Sequence, residues 1–293
     1  MRIVVTGAQG QVGWELTRRA LVLGHDVLAW DVAELDITDA DAVDRALAAS
    51  GAEIVINAAA YTAVDKAEQE PDLAFAVNCD GPAHLAAACA RLNLPLLHIS
   101  TDYVYDGGKT DPYVEEDPTT PLGVYGASKL AGDEAVQQRL SRSLILRVSW
   151  VFGIQGHNFV KTILRLARER EELRIVADQY GCPTFAGDIA DTLLELAGRV
   201  AEIDAQNAWG IYHYCGAPAT TWHGFARAIV ELASAREPLR VQTVTPITTA
   251  DYPLPAARPI NSILDCTRLQ RNFNRVSCPW RQGLIALLDA SAS

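Results

Sequence analysis

The chain has 293 residues, 49% of them apolar and 21% charged, with a formal net charge of −11. That length suits one large domain or two modest ones and is ample for a core, and the acidic balance argues against a nucleic-acid or membrane-surface partner, which basic patches would hold. It leaves a phosphorylated small molecule open, since a few local cations and a helix N-terminus can bind one.

Strand-like and helix-like patterns alternate over the first half. "RIVVT" reads as a strand, and "QVGWELTRRALVLG" follows at helical spacing and stops at Gly24. "DVLAW" is the second strand, "TDADAVDRALAAS" a helix, and "EIVIN" the third strand. A long alanine-rich helix is expected from about Pro71 to Leu92. "PLLHIS", the helical "VYGASKLAGDEAVQQRL" and "SLILRVS" complete the series. Strands apolar on both faces and joined through helices predict an α/β fold, a Rossmann-like doubly wound parallel sheet. Beyond Trp150 the pattern loosens. Helices are expected at "NFVKTILRLARERE", "GDIADTLLELAGRV" and "TWHGFARAIVELA", strands at "LRIV" and "GIYHYCG", and mostly loop in "TPITTADYPLPAARP". Residues 1–152, with part of 172–200, form the expected NAD(P)-binding domain. Residues 153–293 form mainly a smaller, interleaved C-terminal lobe for substrate.

Cys79, Cys89, Cys182, Cys215, Cys266 and Cys278 are scattered, without metal spacing, and read as free thiols of a reducing compartment. The N-terminus runs straight into a strand without signal-peptide design, and no apolar run reaches transmembrane length, so a cytoplasmic protein is expected.

"VVTGAQGQVG" closes the first strand and opens the first helix, with Gly7, Gly10 and Gly13 spaced G-x-x-G-x-x-G. The first allows a tight turn, the second lets a pyrophosphate approach the backbone, and the third lets helix and strand pack closely. The helix N-terminus would then meet the phosphates. Asp31, about 20 residues on at the end of the second strand, is placed to accept from adenosine ribose hydroxyls, and its charge would repel a 2′-phosphate. Asp36 and Ile37 could flank the adenine, and the small residues of "NAAAYT" let the chain pass close to a flat cofactor.

Tyr125 and Lys129 stand at i and i+4, on one face of a helix. A phenol with a pKa near ~10 is a poor proton donor or acceptor at neutral pH, and a nearby ammonium would lower that value. Lys129 can also reach a nicotinamide ribose. Thr101 follows the fourth strand, at the carboxyl edge where open α/β sheets bind ligands, and its hydroxyl can help polarise a carbonyl. The three read as a proton-transfer site facing a hydride carrier. His98, His157, His213 and His223 form no catalytic or metal pattern and read as structural or surface residues.

The stretches "GQVGWEL", "NAAAYTAVDKAE", "STDYVYDG", "YGASKLAGDEA", "RVSWVFG", "NFVKTILRLA" and "PLPAARPINSILD" run over nearly the whole chain. In these the sequence resembles the extended short-chain dehydrogenase/reductase family, in particular members that reduce a 4-keto sugar nucleotide with NADPH or NADH, forming dTDP-L-rhamnose. The resemblance implies Tyr125 as proton donor, Lys129 as its modulator and Thr101 as the group that tunes it. It implies a cofactor site at Gly7, Gly10, Gln11, Val12, Gly13, Asp31, Asp36, Ile37, Ala59, Ala60 and Tyr61, together with Tyr125 and Lys129. Thr101, Asp102 and Trp150 would touch the sugar nucleotide, with Val64 and Asp65 nearby and Arg258 at the diphosphate. It also raises a homodimer, and Mg2+ through Glu15, against which stands a solvated helix acid. Tyr105 and Cys182 depart from the family's usual phenylalanine and alanine. A 4,6-dehydratase of this family would carry a second carboxylate where the chain has Thr101-Asp102-Tyr103. A 4-epimerase would keep NAD bound, and a regulatory subunit like that of methionine adenosyltransferase would bind nucleotide without turnover.

Overall fold

The computed structural model describes residues 1–202 and 208–291; the remainder of the expected C-terminal lobe, 203–207 and 292–293, lies outside them. Five parallel strands, β1 (Arg2–Thr6), β2 (Asp26–Trp30), β3 (Ile54–Asn57), β4 (Leu96–Thr101) and β5 (Ser143–Val148), are joined by a sixth, Gly210–Tyr214, from the second half of the chain. Across the sheet the order is Gly210–Tyr214, β5, β4, β3, β1, β2. The chain changes direction between β1 and β3, so the loops leaving their carboxyl ends diverge to opposite faces and open a crevice there.

Side-chain alternation builds both layers. Ile3 and Val5 face the helices Gln11–Val22 and Ala186–Glu202 through Leu16, Ala20, Ile189 and Leu193. Val4, Val55 and Ile145 face the helices Ala40–Ser50, Gly81–Leu92 and Val124–Arg139 through Leu47, Leu85 and Val136. Every residue of β3 and β5 is buried, as a parallel sheet covered on both sides requires.

A second core gathers Phe152, Ile163, Phe185, Phe225, Ile229, Trp280 and Leu284 beneath the helices Phe159–Glu169, Trp222–Ser234 and Trp280–Ser291. Asn158 caps the first of these and Thr221 the second, each accepting a backbone N–H in the opening turn. The lobes interleave, because the chain returns twice to the first sheet, as the Ala186–Glu202 helix and as the Gly210–Tyr214 strand.

Two local expectations change. The start of the proline-rich stretch is strand, Thr243–Ile247, parallel to Glu172–Val176, and Pro246 is tolerated because a two-stranded ribbon leaves its nitrogen an open side. The alanine-rich helix is broken by a π-helical turn, Ala76–Asp80, between Pro71–Phe75 and Gly81–Leu92. That turn carries the buried Asn78 against Gly132, where any Cβ would sit 2.0 Å from the Asn78 carbonyl oxygen.

Candidate active site

The glycine-rich loop is made by close approach. Gly7 has φ +68°, and a Cβ on it would lie 2.5 Å from the Ala59 nitrogen in the loop after β3; one on Gly13 would lie 2.0 Å from the Gly7 carbonyl oxygen. Gly10 is the N-cap of the Gln11–Val22 helix and offers no side-chain cap, so the first N–H groups face the crevice. A cradle that side chains would fill, above an uncapped helix N-terminus, fits a dinucleotide pyrophosphate.

The other expected cofactor residues fall on both sides of that loop. Asp31 pins it, accepting from Gln9 N–H at 2.8 Å and Val32 N–H at 2.9 Å. Gln11 reaches the other lobe, where its Oε1 accepts from Asn158 Nδ2. Asp36 is exposed and closes its own turn on Thr38, whereas the side chains of Val12 and Ile37 are buried in the two sheet layers, leaving only their backbone for a ligand. Ala59, Ala60 and Tyr61 follow β3; Asn78 holds the Tyr61 backbone at both ends and donates to Ser128 Oγ at 3.0 Å, which ties this loop to the Tyr125 helix.

Glu68 Oε1 accepts from Val124 N–H at 2.8 Å and so caps the helix that presents Tyr125. Tyr125 is half-buried; burial pushes its pKa up to about 12, Thr101 opposes that shift, and the charges of Asp102 and Asp133 add to it. Thr101 Oγ1 donates to Asp102 Oδ1 at 3.0 Å and accepts from Tyr103 N–H. Burial pushes Asp102 up to about 7, opposed by nearby Ser262 and by the Thr101 hydrogen bond. Lys129 is buried, donates to the Ile99 carbonyl at 2.7 Å, and is pushed down to about 8 by burial, opposed by Asp133. Its ammonium is held against the sheet by that bond, one turn along the helix from Tyr125.

Beyond Tyr125 opens a cavity of about 560 Å³, lined by Tyr103, Phe159, Thr162, Arg170, Arg174, Gln179, Trp222, Thr249, Tyr252 and Arg258 among others. Trp150 stands behind its wall. With φ +45°, an outlier for so bulky a residue, it stacks on Trp222 at 3.5 Å between centroids and donates to Ser262 Oγ. Arg258 lines the cavity, but its guanidinium is paired bidentately with Asp65 at 2.6 and 2.7 Å, so much of its charge is already met. Val64 and Asp65 open the short helix Val64–Ala67 beside it. Arg170 and Arg174 are exposed at the cavity rim and make no ion pair with the described residues. Sequence reasoning missed Phe159, Trp222, Arg170 and Arg174; the only trace is a large aromatic just inside each of two helix starts.

One reading of Glu15 is corrected. The side chain is fully buried, not solvated, and its Oε2 accepts from Arg18 and Arg19, each at 2.9 Å. Both guanidiniums sit on that one oxygen, the buried Oε1 has no hydrogen-bond partner, and no group of His, Cys, Asp and Glu among the described residues has a metal-binding arrangement.

A phosphate cradle at the switch point of a doubly wound sheet, with threonine, tyrosine and lysine beyond the same edge, defines a nicotinamide-dependent oxidoreductase with the short-chain dehydrogenase/reductase fold. The chain belongs to the RmlD substrate binding domain family, whose model matches residues 1–293. It is 46% identical to a dTDP-4-dehydrorhamnose reductase of Aggregatibacter actinomycetemcomitans over 97% of each chain. A crystal structure of a dTDP-4-dehydrorhamnose reductase from Clostridium acetobutylicum superimposes with TM-score 0.93 at 35% identity over all of both chains. One from Bacillus anthracis, in complex with NADP, superimposes with TM-score 0.90 at 35% identity over 98% of each.

Proposed function

We propose that this enzyme reduces the 4-keto group of dTDP-4-dehydro-L-rhamnose to give dTDP-L-rhamnose, with NADPH or NADH and with Tyr125 as proton donor. The observation that carries the reading is the placement of Thr101, ending β4, and Tyr125, opening its helix, at the carboxyl edge between the phosphate cradle and the aromatic cavity, which Tyr103 links by lining the cavity and packing edge-on against Tyr125. A reduced nicotinamide, when bound, supplies the hydride. Burial keeps the Tyr125 phenol protonated through neutral pH, so a proton is at hand for the sugar oxygen, and Thr101 would share in polarising that oxygen. Lys129 donates to the nicotinamide ribose from its seat on Ile99. Asp31 tilts the preference toward NADH by repelling a 2′-phosphate, without excluding NADPH.

Residues 1–152 and their returning helix hold the cofactor, and the later lobe holds the sugar nucleotide. Phe159 and Trp222 offer flat faces to the base, and Arg170 and Arg174 bring positive charge to the diphosphate. The six free thiols fit a cytoplasmic site, and no helix of the described residues is long and apolar enough to cross a membrane.

The test is loss of reduced-nicotinamide absorbance with a 4-keto-6-deoxy sugar nucleotide made in situ by a 4,6-dehydratase and a 3,5-epimerase. Loss that requires both auxiliary enzymes supports the reading. Absence of loss, from folded protein that binds nicotinamide, sinks it.

A further inference from the structure

Lys129 and Asp133 stand at i and i+4 on one helix, both almost wholly buried, yet they make no ion pair. Oppositely charged side chains at that spacing ordinarily meet, and more so away from water. Here Asp133 gives its Oδ2 to Arg147 Nε at 3.1 Å and leaves Oδ1 without a hydrogen-bond partner. Lys129 turns the other way, to the Ile99 carbonyl.

The imidazole of His98 stands next to both. Its Nε2 is 3.5 Å from Lys129 Nζ and 3.9 Å from Asp133 Oδ1. Neighbouring strands determine which ring nitrogen carries the proton. Asn57 Oδ1 accepts from Thr6 Oγ1 at 2.7 Å and from Ala59 N–H at 3.0 Å, so the Asn57 amide nitrogen is the end that faces His98 Nδ1, at 3.0 Å. Nδ1 therefore accepts, and the proton of the neutral ring sits on Nε2. The protonated Nε2 thus lies near the lysine ammonium and near the Asp133 carboxylate without a hydrogen bond to Oδ1. The groups around Lys129 Nζ are thus His98, the Ile99 carbonyl and Asp133, with Arg147 on the far side of the carboxylate.

We infer that His98 is a positioning residue that keeps the Lys129 ammonium from collapsing onto Asp133 and so leaves it free for the cofactor ribose. The inference rests on the role given to Lys129 above. Asp133 remains necessary behind the ring, since it holds the buried Arg147 and draws positive charge into this corner of the sheet.

The test uses the full-length protein with NADPH and NADH. His98→Asn keeps an acceptor for Asn57 where Nδ1 was and deletes the Nε2 end. Cofactor Kd should rise about tenfold or more, the scale of one charged hydrogen bond, while thermal stability is largely kept because Lys129 gains a buried partner. His98→Gln, whose amide reaches the Nε2 position, should stay within about threefold of the parent, a fraction of that same hydrogen-bond scale. The double variant His98→Asn, Asp133→Asn removes the carboxylate onto which Lys129 would fall and should bind cofactor better than His98→Asn alone. His98→Asn binding like the parent overturns the inference, and so does a double variant that melts like the single and binds cofactor no better than it. A parent protein whose cofactor affinity does not respond to Lys129→Met would overturn the Lys129 role itself, which separates the two failures.

Discussion

The two sides of the cleft are built from different materials. The cofactor side is backbone: Gly7, Gly13 and Ala59 approach within distances no side chain could share, and a helix N-terminus supplies the donors. The substrate side is side chain: Phe159 and Arg170 from the two ends of one helix, Trp222 from another and Arg258 from a loop converge from three stretches of the second half. The first should therefore fail sharply when a single atom is added, and the second gradually when atoms are taken away.

The largest expected effect lies where the sides meet. Tyr125→Phe should lower the rate by about two or more orders of magnitude with cofactor binding kept, read by turnover against nicotinamide titration. On the cofactor side, Gly13→Ala forces a Cβ against the Gly7 carbonyl and should cost about 1–3 kcal/mol of stability along with most cofactor affinity; thermal melts with and without NADH report both. On the substrate side, Trp222→Ala removes the stacking partner of Trp150 and should raise KM for the sugar nucleotide about tenfold, cofactor Kd unchanged. An equal loss on both ligands would break the comparison.

Protonation gives a smaller effect with a definite sign. The folded pKa of Lys129 is depressed to about 8 from an ordinary 10.5. Its ammonium, and the activity that depends on it, should fade as pH rises through about 8. Stability should move the other way, rising between about 8 and 10.5, because there the unfolded chain binds the extra proton. Asp102, raised from 3.8 to about 7, should have the opposite slope: stability falls as pH climbs from about 4 to 7, and Asp102→Asn should flatten it. The smallest effect expected is none: a chelator should leave activity unchanged, since two guanidiniums already face the Glu15 carboxylate.

The same contrast governs what could be read from the sequence. The strands β1 to β5 and the glycine loop come from short-range patterns, β-branched runs and a fixed glycine spacing, and they stand where expected. The Tyr125 helix was legible because i and i+4 share a face. The cavity was not, because no local pattern says that Phe159 and Trp222 will face one space. Arg258 looked free because its partner Asp65 lies 193 positions away in the chain. Glu15 looked solvated because its burial depends on the Ala186–Glu202 helix, whose Asp191 pairs with Arg19. His98 read as structural for the same reason: its meaning comes from Asn57, Lys129 and Asp133 on three other elements.

The central claim is that hydride goes to C4 of a keto sugar nucleotide while this chain supplies the proton. Its most direct test is turnover with a nicotinamide cofactor carrying deuterium at the transferable C4 position, followed by mass and NMR analysis of the sugar product. The account predicts one deuterium in the product, at the sugar's C4, and oxidised cofactor in equal amount. An unlabelled sugar, or cofactor returned with its deuterium intact, would contradict it.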